Sequence, residues 1–267
     1  WGDPLYGGDS TSVADELTQV QSIVATGGAF AAIKTDGSIV TWGNPLWGGD
    51  SSSVINELTQ VQSIVAAGFA FAAIKIDRSV VTWGSSGAGG DSSSVTDKLT
   101  QVQSITATNK AFSAIKADGT VVTWGDPDYG GESSSVTYKL TQVRSIVAAD
   151  QAFAALKTDG SVVTWGGAYE GGDSHSVSAQ LTQVESIVAT YRAFAALKAD
   201  GSVVTWGSAR EGGDSRYIED LLTEVQLIAA TVSSFTAIKA DGSMLHWGII
   251  SLPHYPSGVN SMLQIES

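Results

Sequence analysis

Residues 29–43 read AFAAIKTDGSIVTWG, and closely similar stretches follow along the chain at a fixed spacing of 41 residues. The Trp-Gly pair that ends each stretch occurs at Trp42, Trp83, Trp124, Trp165, Trp206 and Trp247, with a further copy at Trp1. A fixed period of about 20–50 residues is typical of propellers and solenoids, whose units bury their apolar faces against one another. Near-identical units also leave few unique residues for an asymmetric active site, which favours binding over catalysis.

Three short apolar segments in the first repeat have the length and composition of strands. They cover residues 20–25 (VQSIVA), 30–34 (FAAIK) and 38–42 (SIVTW). Each is too short for a helix and is bounded by Gly, Asp or Thr. The sequence therefore predicts three or four strands in every repeat.

The turn between the second and third strands is Asp-Gly in five of the six repeats, as at Asp36-Gly37. Asp-Gly between apolar runs indicates a tight hairpin, because glycine adopts positive φ without steric cost. The second repeat has Asp77-Arg78 instead. We expect Arg78 either to accept a strained backbone, at a cost of roughly 1 kcal/mol, or to lie in a longer turn.

The polar stretch before each first strand is expected to be an extended or one-turn connector. It carries one valine and one leucine that we expect to be buried: Val13, Val54, Val95, Val136 and Val177, with Leu17, Leu58, Leu99, Leu140 and Leu181.

Repeats of this kind predict an all-β fold, a β-propeller with six complete hairpin units. The string AFAAIKTDGSIVTWG resembles the repeat of the regulator of chromosome condensation family. The 41-residue spacing of the repeats is similar to that of the compact propellers that inhibit β-lactamases. The resemblance covers residues 1–248 and implies a rigid disc whose loops contact another macromolecule. Residues that make those contacts in the family lie in variable loops, so none carries over to this chain.

Propellers of that family have seven blades, whereas this chain contains six complete hairpins and a degenerate tail, residues 249–267. Residues 263–267 (LQIES) are similar to the start of a first strand, and Trp1-Gly2 to the end of a third. We therefore expect one domain over residues 1–248, with residues 249–267 as a half-repeat that joins the N-terminus in a seventh blade. Six blades with the tail packed outside is the alternative.

Composition excludes several functional classes. A net charge of −13 disfavours nucleic acid and anionic lipid as partners. The chain has no cysteine, and no apolar run is long enough to insert directly into a membrane. Because the sequence begins at Trp1, we expect a processed or excised chain, and the compartment stays open.

The repeated tryptophans and lysines both have structural interpretations. Each ladder tryptophan is expected to pack between blades with its N–H on a carbonyl, rather than to form a carbohydrate platform. A lysine precedes the turn between the second and third strands in every repeat, and local pairing with the turn aspartate is a simpler account than an anion-binding ring. These lysines are Lys34, Lys75, Lys116, Lys157, Lys198 and Lys239.

No motif indicates a metal, a cofactor or an active site. The GGDSSSV stretches lack the spacing of calcium-binding nonapeptides, and His175, His246 and His254 lie in different repeat positions. No phosphate-binding glycine pattern is present. We expect a protein that is not an enzyme.

Positions at which the repeats differ report either solvent or a binding surface. Tyrosine, tryptophan and arginine are common at interface hot spots. Our candidate binding residues are therefore the aromatic and basic residues of the variable loops: Tyr6, Trp47, Phe69, Lys110, Tyr129, Tyr169, Tyr191, Arg192 and Arg210.

These residues lead us to expect a propeller that binds another protein, as an adaptor or a subunit of a larger assembly. Two alternatives stay open. The same loops could inhibit an enzyme, or each blade could bind a glycan, although equal glycan sites would require loop residues that do not vary.

Overall fold

The computed structural model describes residues 2–249. It contains six antiparallel three-stranded sheets, one for each repeat, in the order first, second, third strand. The strands are β1 Val20–Ala25, β2 Ala29–Lys34, β3 Ile39–Gly43, β4 Val61–Ala66, β5 Ala70–Lys75, β6 Val80–Gly84, β7 Val102–Ala107, β8 Ala111–Lys116, β9 Val121–Gly125, β10 Val143–Ala148, β11 Ala152–Lys157, β12 Val162–Gly166, β13 Val184–Ala189, β14 Ala193–Lys198, β15 Val203–Gly207, β16 Val225–Ala230, β17 Ser234–Lys239 and β18 Met244–Gly248. The all-β propeller fold is confirmed, with three strands in each described blade.

We number the repeats so that each ends at its Trp-Gly pair: repeat 1 is residues 3–43, and repeats 2 to 6 end at residues 84, 125, 166, 207 and 248. The second strand starts one residue earlier than expected, at Ala29. The third strand is shifted one residue towards the C-terminus, to Ile39–Gly43. In every repeat one register irregularity near the start of the first strand shifts its pairing with the second strand.

Short helical turns fill the connectors. Nine of them are three-residue 3-10 turns: Pro4–Tyr6, Thr11–Val13, Pro45–Trp47, Ser86–Ala88, Thr96–Lys98, Pro127–Tyr129, Thr137–Lys139, His175–Val177 and Glu219–Leu221. Two more segments, Ala168–Gly172 and Ala209–Gly213, are helical only in part, because Gly171 and Gly212 have φ of +96°. Among residues 2–249 no helix has the length and apolar character needed to cross a membrane.

The hydrophobic core is divided among the boundaries between consecutive repeats. Between repeats 2 and 3, for example, Ala70, Ala72 and Ile74 of the middle strand pack against Leu99 and Ile105 of the next repeat. Equivalent clusters occupy the other four boundaries from repeat 1 to repeat 6. Each sheet is therefore stabilised mainly by its neighbours, as in other repeat folds.

Backbone hydrogen bonds also join consecutive sheets. The amide of Val61 donates to the carbonyl of Gly37 at 3.0 Å, and the equivalent bond recurs at each later boundary. At the opposite end of the first strands the amide of Gly27 donates to Gly68 at 2.8 Å. Each blade is thus fixed to the next at both ends of its first strand.

The connector side chains are buried to different extents. Leu58, Leu99, Leu140 and Leu181 are at most 2 % exposed, whereas Leu17 is half-buried. The five valines that we expected to be buried are only half-buried, because the leucine already fills the boundary between the sheets. That expectation was wrong for the valines and for Leu17.

Arg78 takes the strained backbone. Its φ is +68°, close to the +77° of Gly37 at the equivalent position, so the turn keeps its length.

The predicted seventh blade and the predicted half-repeat over residues 249–267 depend on Trp1 and residues 250–267, which lie outside the described residues.

Candidate functional site

One end of the sheets collects the segments that vary between repeats. In an antiparallel three-stranded sheet the first strand ends, the second begins and the third ends on the same side, as the pairs Ala25–Phe30 and Ala29–Gly43 show. The turns between first and second strands and the helical turns after third strands therefore lie together. We call this surface the turn face; all nine candidate binding residues belong to its segments.

A continuous line of backbone hydrogen bonds supports the turn face. The amide of one residue in each turn donates to the carbonyl of the equivalent residue in the next repeat, at distances of 2.7–3.0 Å. The participating residues are Gly27, Gly68, Asn109, Asp150, Tyr191 and Val232. Because the bonds use only main-chain groups, the side chains at these positions can differ without loss of the support.

Tyr6, Trp47 and Phe69 form an aromatic cluster on the turn face of repeats 1 and 2. Their ring centroids are 5.9 Å apart for Tyr6 and Trp47, and 4.9 Å apart for Trp47 and Phe69, which meet edge to face. Trp47 and Phe69 are half-buried, and Trp47 also packs on the core between repeats 1 and 2. Trp47 is therefore a support for this surface rather than its most exposed anchor.

The most exposed apolar side chains beside the aromatic cluster are two leucines that the sequence analysis did not select. Leu5 and Leu46 are 72 % and 75 % exposed, more than the 55 % of Tyr6. Both follow a proline in a 3-10 turn whose first amides are capped by Asp3 or Asn44. The cap fixes the turn and leaves the leucine in solvent.

A second group, which we call the tyrosine cluster, lies on the turn face of repeats 3 to 5. Lys110 Nζ is 4.6 Å from the ring of Tyr129 and 4.0 Å from a carboxylate oxygen of Asp126. Next to it, the guanidinium of Arg192 lies 5.3 Å over the ring of Tyr191. The structure brings these four candidate residues into two cation–π pairs.

Asp150 joins the tyrosine cluster. Burial raises the pKa of the Tyr191 hydroxyl, and the charge and hydrogen-bond acceptance of Asp150 raise it further. Gln151 donates a second hydrogen bond to Asp150 at 3.3 Å. The Nε atom of Arg192 is buried without a hydrogen-bond partner among the described residues. Within the cluster, Tyr191 thus lies beside the Asp150 carboxylate and the Arg192 guanidinium.

The remaining two candidates, Tyr169 and Arg210, lie in the helical turns of repeats 5 and 6. Tyr169 is 65 % exposed and Arg210 is also exposed. Val232, which the sequence analysis did not select, is 72 % exposed in the turn of repeat 6.

The six ladder tryptophans are buried, and five of them, Trp83 to Trp247, lie in the core clusters between consecutive repeats. Each indole N–H donates to the carbonyl of the glycine 35 residues earlier, at 3.0–3.1 Å, and each ring stacks on the phenylalanine of its own middle strand at 5.1–5.3 Å. All six are at most 8 % exposed, which leaves no free ring face for a ligand.

The repeated lysines pair locally in part. Lys157 and Lys198 lie 3.9 Å from Asp159 and Asp200 in their own turns. Within residues 2–249 no three His, Asp or Glu side chains are arranged so that they could hold a metal ion.

Open grooves run beside three of the third strands, with volumes of about 620, 540 and 370 Å³. They share the valine, threonine and tryptophan of the strand. Their rims differ, with Tyr169 and Arg216 at one, Lys139 and His175 at another. Equivalent grooves therefore do not present equivalent polar groups.

Comparisons with known proteins identify the fold. No family model matches the sequence. No curated protein matches it either. Human WBSCR16 superposes with a TM-score of 0.53 at 13 % identity, over 85 % of this chain and 76 % of that one.

Two further structures are similar at lower scores. Prp20p from Saccharomyces cerevisiae has a TM-score of 0.49 and 16 % identity, over 88 % of this chain and 73 % of that one. The CRINKLY WD40 ectodomain of the Arabidopsis thaliana receptor kinase ACR4 has a TM-score of 0.46 and 16 % identity, over 90 % and 83 %. The superposition on human WBSCR16 supports the propeller fold, and at 13 % identity it concerns the fold alone.

Proposed function

We propose that this protein is a non-enzymatic interaction module, an adaptor or a peripheral subunit, which binds another protein through the turn face. The observation that carries the proposal is that exposed apolar and aromatic side chains occur in the turn-face segments, which vary between repeats. Leu5, Tyr6, Leu46, Tyr169 and Val232 are all at least 55 % exposed. Exposed apolar groups that gather on one surface indicate an interaction site.

The mechanism is presentation by a rigid frame. The turns are held by the backbone bonds between repeats, and the helical turns of repeats 1, 2 and 4 also by their Asp or Asn caps. A surface that is already ordered loses little conformational entropy on binding, so contacts by a few side chains suffice for useful affinity. Net charge of −13 favours a partner whose contact surface is basic around an apolar centre.

Leu46 offers the sharpest test, since it is exposed and its removal leaves the core intact. We expect Leu46→Asp to reduce capture of a partner from an extract of the native source by at least about tenfold, the effect of a hot spot worth roughly 1.4 kcal/mol or more. Ile76, 65 % exposed in the turn between β5 and β6 at the opposite end, is the matched control, and Ile76→Asp should leave capture unchanged. Both variants should keep the melting temperature of the wild type.

The outcome also separates the alternatives. A captured enzyme whose activity falls on addition of the wild-type protein, but not of Leu46→Asp, would identify an inhibitor. Equal capture by both variants would refute the turn face as the interaction site. Binding to a glycan array with no captured protein would replace the proposal by the glycan alternative, which the unequal rims of the grooves disfavour.

A further inference from the structure

The third strand of each blade is an edge of its sheet. In repeat 5, for example, β15 pairs with β14 and with no other strand of the described chain. The order first, second, third strand is the same in all six sheets, and the first strands of consecutive blades contact one another. The first strands therefore lie on the inner side of the array, and the third strands lie on its outer rim.

Alternate residues of β15 point their backbone groups away from the sheet. The amide of Ser208 donates to the carbonyl of Arg192 at 2.8 Å, which places Ser208 and every second residue before it against β14. The N–H and C=O groups of Val203, Thr205 and Gly207 consequently face outwards. Within the part of the chain that the structure describes, these outward groups have no hydrogen-bond partner.

Nothing in the strand itself protects this edge. Proteins block exposed edges with lysine, proline or a β-bulge. The third strands of repeats 2 to 5 all read Val-Val-Thr-Trp-Gly, without charge or proline, and their pairing with the second strands is regular. Five residues at roughly 3.4 Å each give an uninterrupted row of donors and acceptors about 17 Å long.

The edge of β15 is the floor of a groove of about 620 Å³. One wall is the connector of repeat 5, with Asp173 and Gln180, and the other is the connector of repeat 6, with Arg216 and Glu219. The grooves of about 540 and 370 Å³ at β12 and β6 are built in the same way. All residues that line the three grooves lie between positions 53 and 219, so both walls of each groove are described.

Each groove has a carboxylate on both walls. The pairs are Asp173 and Glu219 at β15, Glu132 and Asp173 at β12, and Glu57 and Asp91 at β6. None of these carboxylates forms an ion pair with a described lysine or arginine. A chain that enters between two such carboxylates is favoured when its own side chains are positively charged.

The groove at β15 has the most favourable composition of the three. It is the largest, and its one basic residue, Arg216, is already paired with Asp214 at 2.6 Å. The groove at β12 contains Lys139, which forms no such pair within the described chain and would repel a cation.

We infer that the groove at β15 is a docking site for an extended, basic segment of another protein, which adds to the blade as a fourth strand. The backbone of the segment pairs with the outward groups of Val203, Thr205 and Gly207, and its basic side chains reach Asp173 and Glu219. A second copy of this chain does not fit, because its own third strands are recessed between connectors as well. The inference does not rest on the proposed function of the turn face.

The probe is a heptapeptide of alternating lysine and valine with both ends blocked. At saturation it should slow hydrogen exchange of the Val203 and Thr205 amides at least about tenfold in nuclear magnetic resonance spectra, since both amides gain a partner. The amides of Val204 and Trp206, already paired with β14, should not change. The same peptide with N-methyl groups on its three central residues keeps its charge but loses strand donors, and it should bind at least about tenfold more weakly.

Variants of the groove make the test specific. Glu219→Lys reverses the charge of one wall at an exposed position and should weaken peptide binding about threefold or more. Asp220→Lys, at the exposed neighbouring position outside the lining of the groove, is the matched control and should leave binding unchanged. Thr205→Pro removes an outward donor without breaking the ladder to β14, and it should abolish protection of the edge. Leu46→Asp on the turn face should have no effect.

Four results would overturn the inference. Peptide binding without protection of Val203 and Thr205 shows attraction to the acidic surface elsewhere. Equal affinity for the N-methylated peptide shows that no strand is added. Self-association of the protein that Thr205→Pro abolishes shows that the occupant is a second copy. Absence of binding up to about 1 mM peptide shows that the groove does not accept a strand. If Thr205→Pro impairs folding, Glu219→Lys and the two peptides still decide the question.

Discussion

Replacing a ladder tryptophan by phenylalanine measures how much the repeated core depends on it. Trp124 is 3 % exposed, its N–H donates to Gly89 at 3.0 Å, and its ring stacks on Phe112 at 5.2 Å with an angle of 16°. Trp124→Phe removes the donor and leaves a buried carbonyl unpaired, at about 1–2 kcal/mol. The smaller ring loses roughly 1–2 kcal/mol of apolar burial. Together the free energy of unfolding should fall by about 2–4 kcal/mol.

The assay is chemical denaturation followed by far-ultraviolet circular dichroism. Trp206 provides an internal replicate, with 3 % exposure, a 3.0 Å hydrogen bond and a stacking distance of 5.2 Å, so Trp206→Phe should give a similar loss. Trp47, half-buried and outside the ladder, is the control, and Trp47→Phe should cost less than about 1 kcal/mol. Losses below 1 kcal/mol at both ladder positions, or a larger loss at Trp47, would refute the packing argument.

Two further predictions concern the hairpin turns. Arg78→Gly should raise the free energy of unfolding by roughly 0.5–1 kcal/mol, because glycine adopts the left-handed backbone without strain and this gain exceeds the added entropy of the unfolded chain. Gly119→Arg should lower the free energy of unfolding, and thermal melts of the two variants test the sign. Hydrogen bonds from the hydroxyl and amide two residues on hold the pKa of each turn aspartate below its usual 3.8, and that of Asp214 near Arg216 falls to about 2. The stability from these lowered pKa values is complete above about pH 4 and is lost as the pH falls towards 2, so unfolding midpoints measured across that range should decline. A midpoint that does not change between pH 5 and 2 would contradict the second prediction.

The repeat allowed most of the architecture to be predicted. Short apolar segments, Asp-Gly turns and the Trp-Gly spacing are local signals, so the three strands of each blade were placed within one residue. The connectors were harder. The residue before each first strand, such as Gln19 or Gln60, has a left-handed φ of +56° to +57°, which nothing in the side-chain chemistry of a glutamine indicates. Its conformation is imposed by the neighbouring turn, whose Thr35 amide donates to the carbonyl of Gln19.

The turn face was predicted in its residues but not in its arrangement. Variation between repeats singled out Lys110 and Arg192, yet only the strand register shows that both lie over tyrosines at one end of the sheets. Leu5 and Leu46 were not predicted, because leucine in a sequence usually indicates a core position. Only the structure of the capped turns shows that both side chains face solvent. Burial in a loop depends on contacts between repeats, which a single repeat does not encode.

Comparison between repeats also shows which contacts the packing of the blades requires. A position that the fold requires should be constant wherever its contact exists, as the Ala-x-Ala row is nearly throughout repeats 1 to 5. Repeat 6 departs from this row at Ser234 and Thr236, whereas repeat 1 keeps it at Ala29 and Ala31. Comparison of the repeats therefore reports on packing at single positions, which the local strand and turn signals do not.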